Sequence, residues 1–234
     1  MVSASYHKAL GTKNYLALGV QGGYVQKKLN VNQLIFPSQY SSADQAFDTQ
    51  MSNGESSLSG DGISQIDINL GLMWHGRVSD KVGLFNGFSY FHLTKPKDSF
   101  LGADNKISSR YVIHGGGKVK LNETIAILPN YIVQLQNKAK EINLGTAVEY
   151  TYETGKSESV IFSLGAWYRL SDALIFSASI DYKNVRLGFA YDVNTSDLNT
   201  VSNGKGAYEI SLIYLGFLSK STDDTPIYVP CPRM

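Results

Sequence analysis

The chain has 234 residues, with 21 Lys+Arg against 20 Asp+Glu and a formal net charge of +1. Charged residues make up 18%, below the roughly 25% usual for soluble domains, while Gly reaches 22 and aromatics 12%, led by 15 Tyr and 10 Phe. This balance excludes a nucleic-acid binder with a basic patch and a disordered chain poor in aromatics, and the one cysteine, Cys231, excludes an internal disulfide framework or a paired-cysteine zinc or redox motif.

No run of about 18 apolar residues is present, so a membrane-crossing helix is excluded. A membrane-crossing β-barrel is not, because its strands alternate and average to neutral hydropathy. Alternation with period two is the dominant signal, and successive strand side chains point to opposite faces. A first short segment spans 3–9. Between the connections 10–13, 27–64, 77–80 and 93–108 lie the next strands. Of these, 65–76 sets Ile66, Ile68, Leu70, Leu72 and Trp74 against Gln65, Asp67, Asn69 and His75. Segment 109–120 sets Tyr111, Ile113 and Val119 against Arg110, His114, Lys118 and Lys120, and 124–135 alternates likewise. In 141–152, Ile142, Leu144, Val148, Tyr150 and Tyr152 oppose Glu141, Asn143 and Glu149. In 158–170, Val160, Phe162, Leu164, Ala166, Tyr168 and Leu170 oppose Ser159, Ser163, Gly165 and Arg169. The pattern continues through 173–182, 185–192 and 207–217, and no segment sustains a 3.6-residue period.

The expected fold is therefore an all-β, antiparallel, up-and-down transmembrane β-barrel of about ten to eleven strands over residues 1–217, with a polar tail over 218–234. Segment length supports it: soluble strands run about 5–6 residues, whereas a tilted membrane-crossing strand needs about 9–11. Tyr150, Tyr152, Tyr168, Tyr182 and Tyr191 fall near strand ends, where membrane interfaces favour aromatic rings. Charges and glycines on the opposite face suit a wet or plugged lumen.

Connections give an independent test, because hairpins alternate between two rims. One rim carries the tight connections 10–13, 77–80, 121–123, 154–157 and 183–184. The other carries every long one, 27–64, 93–108 and 193–206, together with 136–140 and the short 171–172. Outer-membrane barrels pair short periplasmic turns with long extracellular loops, which places the long set outside the cell and the C-terminal end in the periplasm. An eleven-strand count starts on the outer rim, and single-chain bacterial barrels have even strand numbers. Met1-Val2-Ser3-Ala4-Ser5 also lacks the basic and apolar regions of a signal peptide. The expectation is that N-terminal strands and a signal peptide are missing from this chain.

Motifs for chemistry are sparse, and no enzymatic activity, catalytic residue or cofactor is expected. His114-Gly115-Gly116-Gly117 resembles a lipase oxyanion loop but lacks its G-x-S-x-G partner. Glycines on a curved strand explain it better. Gly155-Lys156-Ser157 lacks the first phosphate-loop glycine, since Tyr150 stands there. His7, His75, His92 and His114 fall on different segments without metal-ligand spacing. The one metal-like pattern is Asp192, Asn194 and Ser196 at alternate positions, opening like a calcium loop. Asp197 occupies the required glycine position and Asn203 the closing glutamate, so an Asx-rich turn accounts for it better. Asn122 and Asn194 head glycosylation-type tripeptides, which are common by chance. Arg110, Arg169 and Arg186 against Glu141, Glu149, Asp181, Asp192 and Glu209 form the candidate lumen set, lining either a pore or a plug-like network.

Several stretches stand out together: Ala17-Leu-Gly-Val-Gln-Gly-Gly-Tyr, Ile68-Asn-Leu-Gly-Leu-Met-Trp, Phe91-His-Leu-Thr-Lys-Pro, Arg110-Tyr-Val-Ile-His-Gly-Gly and Leu128-Pro-Asn-Tyr. Most distinctive are Trp167-Tyr-Arg-Leu-Ser-Asp-Ala, Gly188-Phe-Ala-Tyr-Asp-Val-Asn-Thr-Ser-Asp-Leu, Gly206-Ala-Tyr-Glu-Ile-Ser-Leu-Ile-Tyr and the terminal Cys231-Pro-Arg. On these stretches the chain resembles the PorP/SprF family of outer-membrane proteins, associated with type IX secretion and gliding motility in Bacteroidetes. The resemblance implies a barrel in the Gram-negative outer membrane that helps export or anchor surface proteins. Its implied partners are outer-membrane lipid, a secreted adhesin or other cargo, and periplasmic secretion components, with no nucleic acid. The alternative, carried by the lumen charges, is a diffusion channel or transporter for small or hydrophobic solutes.

Overall fold

The computed structural model describes residues 1–30, 34–52, 54, 62–100, 105–155, 158–196 and 204–215. The tail 218–234 with Cys231, the pair Lys156–Ser157, and the calcium-loop positions Asp197 and Asn203 lie outside them. Thirteen strands are described: β1 (Val2–Ala9), β2 (Asn14–Lys27), β3 (Tyr40–Ser41), β4 (Ala46–Phe47), β5 (Ile63–Arg77), β6 (Val82–Phe91), β7 (Arg110–Lys120), β8 (Ile125–Gln136), β9 (Ala139–Glu153), β10 (Ser159–Arg169), β11 (Ala173–Tyr182), β12 (Val185–Asn194) and β13 (Lys205–Tyr214). No helix among the described residues is long and apolar enough to cross a membrane.

Eleven strands form one sheet in the order β1-β2-β5-β6-β7-β8-β9-β10-β11-β12-β13, and β3 pairs with β4 separately. Every long strand lies beside its neighbours in chain order, which is the up-and-down meander that alternation predicts. The fold is all-β and antiparallel, as expected from the sequence, with β1 and β13 at the two ends of the strand order.

Registers show why a single residue step matters. Across β8 to β13, Ile127 pairs with Val148, Val148 with Leu164, Leu164 with Ala178, Ala178 with Phe189, and Phe189 with Ile210. One residue away, Ala126 pairs with Glu149, Glu149 with Ser163, Ser163 with Ser179, Ser179 with Gly188, and Gly188 with Ser211. An unbroken apolar row thus runs beside a polar, small-residue row on the opposite face. Slipping any pair by one residue would exchange the two.

Burial is inverted relative to a soluble protein. Leu164, Ile210 and Leu187 are 69%, 69% and 52% exposed, whereas Glu149 and Asp181 are only 6% and 8% exposed. The buried apolar residues among those described are Phe85, Val112, Ala126 and Ala173, and no large side chain is fully buried. In water such an apolar surface would drive association. Facing hydrocarbon it is at its free-energy minimum, and the polar groups are the ones that must be gathered inside.

Two compact units divide the chain. Unit 1 takes Met1–Ala4, Val20–Leu70 and Tyr90–Arg110, which comprise the two longest connections and the strand ends that carry them. Unit 2 takes Ser5–Gly19, Gly71–Ser89 and the chain from Tyr111 onward. Connections differ from expectation in two places. The connection expected at 136–140 is a two-residue turn, because Gln136 already pairs with Ala139 and Asn137 adopts φ 53° to close it. Asn tolerates that left-handed conformation better than most residues. The connection 27–64 contains the 3-10 turn Pro37–Gln39 and the β3–β4 hairpin, too short to leave a periodic signal.

Candidate functional site

The polar face of unit 2 is organised by ion pairs between neighbouring strands. Arg186 on β12 grips Asp181 on β11 through two bonds, Nε to Oδ1 at 2.6 Å and Nη2 to Oδ2 at 2.7 Å. Lys118 on β7 donates to Glu149 on β9. Arg169 at the end of β10 donates to Asp172 at 3.0 Å and to Asp192 at 3.2 Å, tying the β10–β11 connection to β12. Such charge-assisted, forked bonds are the strong class of hydrogen bond. They also explain how charged groups persist on a face that is partly buried.

Sequence reasoning named most of these residues, and the structure distributes them. Arg169, Arg186, Asp181, Asp192 and Glu149 all join ion pairs. Glu209 lines a smaller cavity of about 260 Å³ and has no ion pair among the described residues, while Glu141 is exposed. Arg110 belongs to unit 1, where its guanidinium lies 4.4 Å from the Phe91 ring centroid. The cation partner of Glu149, Lys118, was visible only as a polar-face residue. Nothing in the sequence spacing joins positions so far apart.

A cavity of about 660 Å³ opens on this face of unit 2. Arg186–Asp181 and Lys118–Glu149 stand in its wall, beside Lys13, Arg77 and the rings of Tyr15 and His75. Tyr15 and His75 are stacked, with centroids 5.0 Å apart and planes 12° apart. Elsewhere on the same face the Trp167 indole lies over Gly145 and Gly165, where any Cβ would collide with it. Glycine is required there to seat the ring.

The glycine motif of β7 is likewise a packing device. A Cβ at Gly116 would meet the Pro129 carbonyl oxygen at 2.6 Å, and one at Gly117 the Gly83 oxygen at 2.8 Å. His114 lies over Gly87 and tilts against Phe85. Among the described residues no group of three His, Cys, Asp or Glu side chains gathers to hold a metal. In the calcium-like pattern Asp192 is engaged by Arg169, and the Ser196 amide donates to the Asp172 carbonyl. Asn122 caps its turn, accepting from the amides of Thr124 at 2.9 Å and Ile125 at 2.7 Å.

Unit 1 has its own polar cluster. Asp67, 4% exposed, contacts His92 Nδ1 at 3.0 Å. The His92 amide donates to Asn69 Oδ1 at 2.9 Å, and Asn69 Nδ2 donates to Gln21 Oε1 at 2.9 Å. The segment after β6 is stitched back onto β5, since the Leu93 amide reaches the Ile68 carbonyl and the Thr94 hydroxyl the Ile66 carbonyl. Lys27 reaches Asp98 at 2.6 Å, tying β2 to the same segment. Gln39, 5% exposed, staples the first long connection by accepting from the Phe36 amide and donating to the Met51 carbonyl.

Comparison with known proteins gives three findings. The family model described as "Type IX secretion system membrane protein PorP/SprF" matches residues 1–214. No curated protein matches the chain. Among solved structures, the siderophore receptor PirA of Pseudomonas aeruginosa is similar at 15% identity and a TM-score of 0.38, over 91% of this chain and 41% of the receptor, so the chain spans well under half of that protein.

Proposed function

Since the chain belongs to the PorP/SprF family of type IX secretion system membrane proteins, we propose that it acts in the Gram-negative outer membrane as an export or anchoring component for cell-surface proteins. The observation that carries this reading is the asymmetry of its connections. Strands meet in tight turns at one end, while the long connections 28–62 and 92–109 leave the other, and the described residues of unit 1 include the buried tethers Gln39, Asp67 and Asn69. Barrels with short periplasmic turns and longer extracellular loops are the outer-membrane norm. On this reading the long connections hold secreted cargo such as an adhesin. The tight turns and the tail 218–234 meet periplasmic secretion components, and outer-membrane lipid covers the apolar face. The reading assigns no catalytic role to any residue.

Deleting 30–62 tests it. Surface retention of the cargo is expected to be lost while the protein stays in the outer-membrane fraction, and unchanged retention would reject the anchoring role. A second reading, a channel for small solutes, draws on the cavity of about 660 Å³ in unit 2. Planar-bilayer conductance separates the two, because a plugged adaptor passes no ions.

A further inference from the structure

We propose that the unit 2 cavity is a binding site for a small organic anion, a carboxylate or phosphate carried on a flat, ring-containing body. Its volume of about 660 Å³ falls within the range of roughly 300–1,000 Å³ typical of ligand cavities. Charge selects the ligand's sign. Arg186 with Asp181, and Lys118 with Glu149, cancel in pairs and serve as fixed wall. What remains is a cationic surplus at one edge. Arg77 has no ion pair among the described residues, and Lys13 has only a 3.5 Å contact with Asp80, a side chain 93% exposed to water. The Arg77 amide donates to the Lys13 carbonyl at 2.9 Å, so the backbone itself holds the two cations side by side. In a cleft with low-dielectric walls such a surplus concentrates anions, and the arginine fork suits two oxygens of a carboxylate or phosphate.

Shape selects the body. The stacked Tyr15–His75 pair forms a planar wall of the same cavity, next to Arg77 in the lining. His75 Nε2 is enclosed and has no hydrogen-bond partner, leaving one polar group unsatisfied until something fills the space. An aromatic ring laid against this wall, with its acid group toward Arg77 and Lys13, meets both features at once. The inference does not rest on the secretion reading. It holds whether the lumen is a plug or a passage, and cargo retention is not its readout.

Calorimetry on the full chain in nanodiscs tests it, with empty nanodiscs as the blank. The probes are 2-naphthoate, inorganic phosphate and 2-naphthylmethylammonium. Naphthoate is expected to bind saturably with one site, phosphate at least tenfold more weakly, and the ammonium compound with only the blank's heat. Arg77→Gln and Tyr15→Ala are each expected to weaken naphthoate about tenfold or more, and Arg77→Lys less than Arg77→Gln. Lys13→Gln, at the exposed rim, supplies a second cation variant should Arg77→Gln fail to fold, as judged by heat-modifiable gel mobility. Naphthoate giving only blank heat, equal binding of the ammonium compound, or undiminished binding by the folded cation variants would overturn the proposal. Phosphate binding as tightly as naphthoate would overturn its flat-body half.

Discussion

Unit 1 and unit 2 are held together by different means. In unit 2 the sheet β8 to β13 is a continuous ladder, and each strand places an apolar row on one face and a polar row on the other. Ion pairs cross-link its strands, Arg186–Asp181, Lys118–Glu149 and Arg169–Asp192. Unit 1 adds to its own polar pairs side chains that satisfy the backbone of its long connections, as when Gln39 bridges Phe36 and Met51 or Asn69 receives the His92 amide. A ladder needs hydrocarbon on one face to be stable, whereas a stitched loop needs its few polar partners. The two should therefore fail differently.

The largest difference is expected on the apolar row. Leu164→Lys should destabilise the barrel by about 2–4 kcal/mol, the cost of a lipid-facing cation near the bilayer midplane. Ser163→Lys, one residue away on the polar face, should cost much less. Leu144 against Asn143 and Ile210 against Ser211 give the same pairing of exposed and half-buried positions. Urea unfolding in lipid vesicles measures the loss, and equal losses within each pair would reverse the assigned faces.

Next comes the polar face itself. Asp181→Ala leaves Arg186 enclosed without its forked partner. Removing one member of a buried pair costs several kcal/mol, but the two side chains keep 22% and 11% exposure toward a cavity, so about 1–3 kcal/mol is expected. Replacing both, as Asp181→Leu with Arg186→Met, should cost less than the single change. If the double variant proves the worse of the two, the pair does more than neutralise charge in that wall.

These two effects follow the part of the molecule that could be read in advance. Alternation located all eleven long strands because a sheet with lipid on one face must repeat every two residues, and the rows through Leu164 and Glu149 obey that rule without exception. It could not find the β3–β4 hairpin or the Gln39 staple, since two-residue strands and single hydrogen bonds leave no period. The lumen charges were legible as a set but not as pairs. Lys118 and Glu149 are brought together by β7, β8 and β9 lying side by side, and only the register fixes that. The Tyr15–His75 wall was hidden for the same reason: His75 was visible as a polar-face residue, but its ring partner lies on a neighbouring strand far away in sequence.

In unit 1 the expected response is local. Asp67→Ala removes the partner of His92 at the root of the 92–109 connection. A lost hydrogen bond of this kind is worth about 1–2 kcal/mol, and the loss should appear as faster amide exchange and protease cleavage within 92–109. Unit 2's unfolding midpoint should stay put. A parallel fall in that midpoint would show that the stitched loop and the ladder are one cooperative body.

The smallest effect is electrostatic and lies at the tight-turn ends of unit 2. Lys183, in the β11–β12 turn, sits 3.0 Å from Glu158, which precedes β10, and the Tyr182 hydroxyl also donates to Glu158 at 3.1 Å. The hydrogen bond from Lys183, then that from Tyr182, holds the Glu158 carboxyl below its ordinary range, and the same bond with Glu158 raises Lys183 above its own. A depressed carboxyl contributes stability above its unfolded-state pKa and loses it as pH falls through the lowered folded value. A raised lysine contributes below its unfolded-state pKa and loses it as pH rises through the raised folded value. The clasp is thus at full strength across the neutral range and weakens at both extremes. Both groups are exposed, so salt should screen the pair. A carbon-detected titration of Glu158 should give a midpoint below that of a free glutamate side chain, and Lys183→Met should move it back toward the ordinary value. A midpoint that ignores Lys183→Met would leave Tyr182 as the group that holds the carboxylate.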